Sequence, residues 1–295
     1  MYHGLINIYK EKGYTSHDVV AILRGVLKQK KIGHTGTLDP QAEGVLPVCL
    51  GKGTKLCDML TDKDKIYQVK LRLGVETDTE DMTGTILKES DTLELEETKV
   101  EEVIKSFVGK QIQIPPMYSA IKVNGKKLYE LAREGITIER EGREIEVYRI
   151  EIIKMELPYV TMEIECSKGT YIRSICRDIG RKLSVGGSMQ ELIRTKVSSF
   201  CINDSLKIDQ VKELLEQGNI ESYISKVDTP FLDYPKLIID AQYDKWLLNG
   251  NKLKHDWFDL KPSGSMVRVY DARNEFIGIY MWEGLDLKPY KLFLS

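Results

Sequence analysis

The sequence predicts an α+β fold followed by a small β-rich segment, and three observations support this prediction. Runs in which apolar and polar residues alternate, as in a strand with one buried face, recur between residues 65 and 167. Amphipathic helical patterns lie before, between and after these runs. From about residue 230 the chain changes to short strand-like runs divided by turn residues. Its 295 residues suffice for one large or two modest domains.

The N-terminal region begins with a predicted strand at residues 5–9 and a predicted helix within residues 14–31. Thr15 and Asp18 have the spacing of a capping box with Asp in place of Glu, which predicts where the helix begins. The next apolar run contains Pro47. Because proline cannot donate to a strand ladder, this run is predicted to be an edge or irregular strand.

The middle of the chain contains a clear strand pattern and a second helix. In "KIYQVKLRLG", residues 65–74, every second side chain is apolar, which predicts a strand with one buried face. Residues 98–109 repeat apolar side chains at helical spacing. Thr98 and Glu101 have the spacing of a capping box, so the helix is predicted to begin there.

A hairpin is predicted within residues 115–135, because the dipeptide Asn124-Gly125 favours a tight two-residue turn. Basic and aromatic side chains cluster around this turn: Lys122, Lys126, Lys127, Arg133, Tyr118 and Tyr129. The cluster fits a solvated hairpin tip followed by a short helix. It also fits an arm that binds a phosphate backbone, where cations and aromatic rings act together.

Two further strands are predicted at residues 144–157 and 159–167, and a helix within residues 168–183. Arg173 falls in the first turn of this helix, where the macrodipole disfavours a cation by roughly 0.3–1 kcal/mol. An ordinary surface arginine tolerates that cost. An arginine that meets a carboxylate or a phosphate has a reason to occupy the position.

Composition excludes few functions. The chain has 43 Lys and Arg against 45 Asp and Glu, a balance that neither requires nor excludes nucleic acid. Five cysteines without a C-x-x-C pair and four scattered histidines argue against a disulfide framework and a structural zinc site. The first residues lack the apolar core of a signal peptide, and no run of eighteen apolar residues occurs. We therefore predict a soluble cytoplasmic protein without a membrane segment.

The loop "GHTGTLDPQAEG", residues 33–44, places Asp39 directly before Pro40 among turn-forming residues. Turns favour Asp, Gly and Pro, so the loop has a purely structural explanation. The Walker A and dinucleotide-binding patterns are absent from the chain, which removes two common alternatives for a glycine-containing loop. The remaining candidates for chemistry are Asp39, Arg173 and Tyr67.

These three side chains are chemically compatible. A residue before proline is pushed out of the helical region, which predicts an extended, exposed conformation for Asp39. If Arg173 lies beside it, the guanidinium favours the ionised carboxylate. Tyr67 supplies either a ring that stacks on a planar substrate or a hydroxyl that handles a proton.

Four motifs, in order, resemble the TruB-type tRNA pseudouridine synthases. The loop above, continued as "GHTGTLDPQAEGVLPVCLGKGTK", is similar to the catalytic motif of that family, and "KIYQVKLRLGVETDTEDMTG" to its second block. "PPMYSAIKVNGKKLYELAREG" is similar to the family's thumb, and "CSKGTYIRSICRDIG" to its arginine motif. The resemblance implies a mixed, mainly antiparallel sheet flanked by helices. It also implies a catalytic domain over 1–230 with a thumb at about 111–143, and a PUA-like RNA-binding domain over 231–295.

The same resemblance implies roles for individual residues. Asp39 becomes the essential carboxylate, Tyr67 the ring against the target base, and Arg173 the ion-pair partner of Asp39. Further contacts to substrate or RNA are implied for His34, Asp81, Tyr171, Leu192, Lys122, Lys126 and Lys127. One departure is visible: Tyr9 and Glu11 stand where the family's first motif usually has Asp and Pro.

The implied reaction is isomerisation of uridine 55 in the T-arm of tRNA, without a metal or other cofactor. The carboxylate either attacks C1′ or removes a C2′ proton, and the sequence does not choose between these routes. The implied partner is the T-arm stem-loop, with the enzyme as a monomer and without an obligate protein partner. Two alternatives stay open: a non-catalytic RNA-binding module or tRNA-folding chaperone, and a base-removing glycosidase.

Overall fold

The computed structural model describes residues 1–262 and 264–294. Ser263 and Ser295, which belong to the predicted β-rich segment, lie outside the described residues. The helices are α1 Ser16–Val26, α2 Cys57–Thr61, α3 Glu97–Lys105, α4 Leu128–Arg133, α5 Ile172–Lys182, α6 Ile208–Glu216 and α7 Asp244–Leu248. The strands are β1 Gly4–Lys10, β2 Ile32–His34, β3 Glu43–Leu50, β4 Lys65–Leu73, β5 Val75–Thr77, β6 Ile86–Glu89, β7 Gly109–Gln113, β8 Lys122–Val123, β9 Lys126–Lys127, β10 Arg143–Glu156, β11 Tyr159–Cys166, β12 Gly187–Val197, β13 Phe200–Cys201, β14 Ile224–Ser225, β15 Lys236–Ile238, β16 Met266–Tyr270, β17 Phe276–Glu283 and β18 Asp286–Leu292.

One large mixed sheet organises the first part of the chain. Its main path runs β14-β1-β3-β12-β4-β11-β10-β7, with β2 beside β3 and β13 beside β12. Its strand pairs are antiparallel except for β3 with β12, which are parallel. This contact comprises two residue pairs, whereas β12 and β4 pair at nine positions. The predicted α+β fold with a mainly antiparallel sheet is confirmed.

Apolar clusters attach the helices to this sheet. One cluster packs α1 and α6 against β1 and β3, and another packs α3 and α5 against β4, β11 and β12. A separate four-stranded sheet, β15-β16-β17-β18, forms the C-terminal β-rich segment that the sequence predicts. Phe231, Ile279 and Phe293 pack with Leu5 and Val45 of the large sheet, so a shared apolar cluster joins the two sheets.

Several local predictions are confirmed by specific contacts. Thr15 Oγ1 accepts from Asp18 N at 3.0 Å and Asp18 Oδ2 accepts from Thr15 N at 2.8 Å, so the capping box forms as expected. Burial alternates strictly along β4, which is the predicted one-sided strand. Asn124 and Gly125 have φ of 51° and 85°, the left-handed conformations of a tight hairpin turn between β8 and β9.

The edge position predicted for the strand around Pro47 is wrong, because β3 is an interior strand. Pro47 lies opposite Asn7 of β1, and its carbonyl accepts from Thr35 N at 3.2 Å on the other side. The nitrogen and carbonyl of one strand residue face the same edge. The Pro47 nitrogen therefore also faces Thr35, just beyond the end of β2, and the Thr35 carbonyl accepts from Thr61 Oγ1 at 3.0 Å instead.

The predicted start of the second helix is also wrong. Helix α3 begins at Glu97, and the Glu96 carbonyl accepts its first bond from Val100 N at 3.1 Å, so Thr98 lies inside the first turn. Leu95 and Val100 belong to one apolar cluster and occupy the positions of a hydrophobic staple. Packing of these side chains, rather than a capping box, sets the start of the helix.

Over residues 1–262 and 264–294, no helix is both long enough and apolar enough to cross a membrane. In the same ranges, no group of three or more His, Cys, Asp or Glu side chains is placed to hold a metal ion.

Candidate active site

Asp39 lies in the loop between β2 and β3, and its neighbours are tightly held. Leu38 is buried, and its N–H donates to Ser16 Oγ of α1 at 2.9 Å. The Pro40 carbonyl accepts from Gly13 N at 2.8 Å and from Lys10 Nζ at 3.2 Å. The Asp39 side chain is 38% exposed, so an anchored loop presents an accessible carboxylate.

Arg173 pairs with Asp39, as the sequence predicts. Its Nε lies 3.0 Å from Asp39 Oδ2, while Nη1 donates to the Thr79 carbonyl at 3.0 Å and Nη2 to the Tyr118 carbonyl at 2.8 Å. The guanidinium is buried at the start of α5, opposed by the helix dipole but surrounded by acceptors. These acceptors account for a cation in the first turn of a helix.

Asp81 lies on the far side of Arg173. Its Oδ2 is 3.9 Å from Arg173 Nη1, and its Oδ1 accepts from Thr79 Oγ1 at 2.8 Å and from Thr83 N at 2.9 Å. The carboxylate is therefore oriented by its own loop and adds negative charge beside the guanidinium. Arg173 lies between two carboxylates, of which only Asp39 is within 3.0 Å.

Tyr67 projects from β4 into the same region. It is 8% exposed and packs in one apolar cluster with Leu38, Ile172 and Leu192. Burial raises the pKa of the Tyr67 hydroxyl, and the positive charge of Arg194 partly opposes that rise. The phenol is therefore neutral at neutral pH. The structure thus brings Tyr67 and Leu192 together as an apolar surface.

Tyr171 immediately precedes α5 and connects it to the root of the thumb, the segment predicted at about residues 111–143. Its N–H donates to Gln113 Oε1 at 2.8 Å, and Gln113 Nε2 donates to its carbonyl at 3.0 Å. The ring is partly buried, and burial raises the pKa of its hydroxyl. Tyr171 therefore fixes the chain two residues before Arg173.

His34 ends β2, five residues before Asp39. Its Nδ1 accepts from Gly36 N at 3.3 Å, and its ring meets the edge of His17 with centroids 5.2 Å apart. Burial, with smaller contributions from His17 and Arg194, lowers the pKa of His34 to about 4. The imidazole is therefore neutral at physiological pH.

The pKa of His34 predicts a pH dependence of stability. The unfolded chain binds a proton at its ordinary pKa of 6.5, whereas the folded state does so only near 4. The free energy of unfolding should therefore fall as pH drops from 6.5 to 4, by about 3 kcal/mol from this group. Urea titrations at pH 7, 6 and 5 should show a shallower decline in H34Q than in the unsubstituted protein. Equal declines would contradict the assignment.

The three thumb lysines do not join this cluster. Lys122 and Lys126 are exposed on the hairpin, and Lys126 Nζ lies 3.4 Å from Glu134. Lys127 Nζ donates to the Tyr129 hydroxyl at 3.3 Å. Over the described ranges, the polar contacts of these lysines stay within the hairpin and α4. They form a separate basic surface on the thumb.

Sequence reasoning missed two buried groups around the site. Arg194 of β12 is 1% exposed and donates to loop carbonyls, and Lys10 donates to the Pro40 carbonyl. Burial lowers the pKa of Lys10 to about 8. The sequence does hold a signal for Arg194, because residues two apart in a strand share a face and Leu192 is predicted to line the pocket.

A buried ion pair one turn along α5 was also missed. Arg177 pairs with Glu80, whose other carboxylate oxygen accepts from Ser174 Oγ at 2.7 Å. Arg177 Nη2 also donates to the Ile114 carbonyl at 3.2 Å. Helix α5 therefore holds both the Asp81 loop and the thumb root in place.

Tyr9 and Glu11, which differ from the usual residues of the family's first motif, have partners of their own. The Tyr9 hydroxyl donates to Glu43 Oε1 at 3.3 Å, and Glu11 Oε1 lies 3.4 Å from Lys207 Nζ. These contacts lie at the edge of the Asp39 loop and involve neither Asp39 nor Arg173.

Comparison with known proteins supports the resemblance over nearly the whole chain. The family model "TruB family pseudouridylate synthase (N terminal domain)" matches residues 24–172, and "tRNA pseudouridylate synthase B C-terminal domain" matches residues 173–231. A tRNA pseudouridine synthase B of Lachnoclostridium phytofermentans is 50% identical over 99% of this chain and 100% of its own length. That of Clostridium tetani is 47% identical over 94% of each chain.

Among solved structures, a chain of a Cbf5-Nop10-Gar1 complex superposes with a TM-score of 0.75 at 27% identity, over 99% of this chain and 85% of that one. The family predicted from the four motifs is thus confirmed. The chain belongs to the TruB family of tRNA pseudouridine synthases, which are isomerases that act on tRNA.

Proposed function

We propose that the protein converts uridine 55 in the T-arm of tRNA into pseudouridine, with Asp39 as the essential carboxylate. The observation that carries this proposal is the ion pair between Asp39 and the buried Arg173, 3.0 Å apart. An accessible carboxylate in a fixed orientation is what attack on a sugar carbon or removal of a sugar proton requires.

The proposed reaction balances without an added reagent. The N1–C1′ bond breaks, the detached uracil turns, and C5 forms the new bond to C1′. The proton on C5 leaves and N1 gains one, so the product is an isomer of the substrate. Asp39 acts either by attack on C1′ or by removal of the C2′ proton, and the geometry is compatible with both.

The apolar surface around Tyr67 suits a base turned out of its stack. Flipping a nucleotide out of the loop costs a few kcal/mol, and stacking on an aromatic ring offsets part of that cost. Tyr67, Leu38 and Leu192 provide this surface close to the Asp39 loop. We assign His34, Asp81 and Tyr171 to the margin of the same site.

The thumb lysines are proposed to contact tRNA phosphates. Replacing Lys122, Lys126 and Lys127 with alanine should weaken tRNA binding. The slope of log affinity against log salt should fall by about 0.7–0.9 for each phosphate interaction that the substitutions remove. The single-turnover rate at saturating tRNA should stay unchanged.

Filter binding between 50 and 200 mM salt measures this effect, in the range where phosphate interactions dominate. The matched control replaces Lys99 and Lys105, exposed lysines of the acidic helix α3. An unchanged salt slope in the thumb variant would contradict the proposal.

The remaining proposals concern organisation. We place the catalytic domain at 1–230, its thumb at about 111–143 and a PUA-like RNA-binding domain at 231–295, in a cytoplasmic monomer without an obligate protein partner. Binding curves for the full chain and for a variant in the C-terminal sheet would measure the contribution of that domain.

Release of tritium from C5 tests the proposed function. A tRNA transcript that carries tritium at C5 of uridine 55 should release it to water on incubation with the protein. Release without free uracil distinguishes isomerisation from base removal. No release, with tRNA still bound, would favour a non-catalytic RNA-binding module.

A further inference from the structure

Arg194 lies where the two halves of the large sheet meet. On one side β1, β2 and β3 carry the Asp39 loop, and on the other β4 carries Tyr67. Strand β12 joins these halves, and it pairs with β3 only through Ile193–Glu43 and Arg194–Gly44. The two residues proposed for chemistry are therefore held in register by a narrow seam.

The seam depends on a close approach of two backbones. Gly44 has φ of +104°, and a Cβ at this position would lie 2.3 Å from the Arg194 carbonyl oxygen. Only glycine therefore allows β3 and β12 to come together here. The backbone of Arg194 is fixed at the point where its side chain reaches the Asp39 loop.

The Arg194 guanidinium binds that loop through several carbonyls. Nε donates to the Val45 carbonyl at 2.7 Å, Nη2 to the Gly36 carbonyl at 3.2 Å and Nη1 to the Thr37 carbonyl at 3.5 Å. Gly36 and Thr37 precede Asp39, and Val45 begins the apolar part of the strand that follows. One side chain thus ties together both ends of the loop.

The same side chain faces Tyr67. Arg194 and Tyr67 are directly paired residues of the antiparallel strands β12 and β4, so their side chains share one face of the sheet. The guanidinium is close enough to influence the ionisation of the Tyr67 hydroxyl. Arg194 therefore interacts both with the loop that carries Asp39 and with Tyr67, the two residues proposed for catalysis.

Burying the charge of the Arg194 guanidinium costs free energy of folding. Arg194 is 1% exposed, and over residues 1–262 and 264–294 it forms no ion pair with a carboxylate. A buried charge is destabilising unless it is fully compensated, and an apolar side chain of similar volume often serves stability as well. A role in positioning the Asp39 loop and Tyr67 explains why an arginine, rather than an apolar residue, occupies the seam.

We infer that Arg194 is a positioning residue that holds the Asp39 loop and Tyr67 at a fixed separation across the seam between β3, β12 and β4. The inference rests on the proposed function, because it gives these two side chains their roles. Arg194 touches neither reacting atom in the proposed reaction. It acts through the loop carbonyls and the tyrosine ring.

Two substitutions, R194M and R194K, test this inference by single-turnover tritium release from uridine 55. A misplacement of about 1 Å costs about 10²-fold in rate, so R194M should lose about that much. R194K, which keeps the charge and one donor group, should lose about tenfold. The affinity for tRNA should stay within about twofold of the unsubstituted protein, because Arg194 is 1% exposed and does not reach the surface.

The matched control is K65M. Lys65 is a buried lysine beside Gly36, and its Nζ donates to the Thr61 carbonyl at 2.9 Å instead of to the Asp39 loop. The single-turnover rate of K65M should stay within about threefold of that of the unsubstituted protein. An equal loss in K65M and R194M would show a general effect of removing buried charge and would overturn the inference.

The other outcomes are also decisive. Rates within twofold in R194M and R194K, or a loss confined to tRNA affinity, would overturn the assignment. If R194M does not fold, R194K carries the test, and an unfolded R194K would make the residue purely structural. An unsubstituted protein without tritium release would refute the proposed function itself, whereas an active one with active variants would refute only this inference.

Discussion

Replacing Asp39 with asparagine is expected to abolish tritium release from uridine 55, with a fall in single-turnover rate of about 10⁴-fold or more. The amide keeps the size of the side chain and still accepts from Arg173 Nε, so the loop should stay in place. It lacks the negative charge that attack on C1′ or proton removal needs. The affinity for tRNA should stay within about twofold, because the loss concerns the chemical step alone.

A second substitution at the same position separates charge from placement. D39E keeps the charge but moves the carboxylate by one methylene, and the anchored loop leaves little freedom to compensate. A residual rate above that of D39N is expected, still at least about 10²-fold below the unsubstituted protein. Tritium release by D39N at the rate of the unsubstituted protein would show that Asp39 is not the essential carboxylate.

Replacing Arg173 with alanine is expected to have the next largest effect. Asp39 would lose the ion pair with Arg173 Nε at 3.0 Å, and the Thr79 and Tyr118 carbonyls would lose a donor. We expect a fall of about 10²–10³-fold in the chemical step, the range seen when one stabilising donor is removed. The free energy of unfolding should also fall, by about 1–3 kcal/mol for the unsatisfied buried groups.

Single-turnover kinetics at saturating tRNA, with urea unfolding of the same samples, measure both effects. R181A is the matched control on the same helix, because Arg181 is exposed and lies 3.9 Å from Glu76. It should leave the rate unchanged. If R173A weakened tRNA affinity but kept the rate of the chemical step, Arg173 would be a phosphate-binding residue instead.

Elements with strong local signals could be predicted from the sequence. The capping box of Thr15, the alternation along β4 and the Asn124-Gly125 turn each depend on residues close in sequence, and each forms as predicted. The contact of Arg173 with Asp39 could be predicted for another reason. A cation in the first turn of a helix needs an acceptor, and the four ordered motifs indicated which one.

Features that depend on distant strands could not be predicted in the same way. Pro47 is tolerated inside the sheet because its nitrogen faces Thr35, just beyond the end of β2, and Thr61, distant in sequence, donates to the Thr35 carbonyl in its place. The importance of Arg194 depends on pairing with Tyr67, a residue 127 positions earlier in the chain. Helix α3 begins at Glu97 because Leu95 packs into the core, which spacing alone does not show.

Chemical characterisation of the modified transcript tests the central claim most directly. An unmodified tRNA transcript is incubated with the protein, digested to nucleosides for mass and retention measurements, and mapped by primer extension after selective labelling of pseudouridine. We predict one pseudouridine, at position 55, no free uracil, and no product from a transcript with cytidine at that position. Free uracil, or pseudouridine at another position with uridine 55 intact, would contradict the claim.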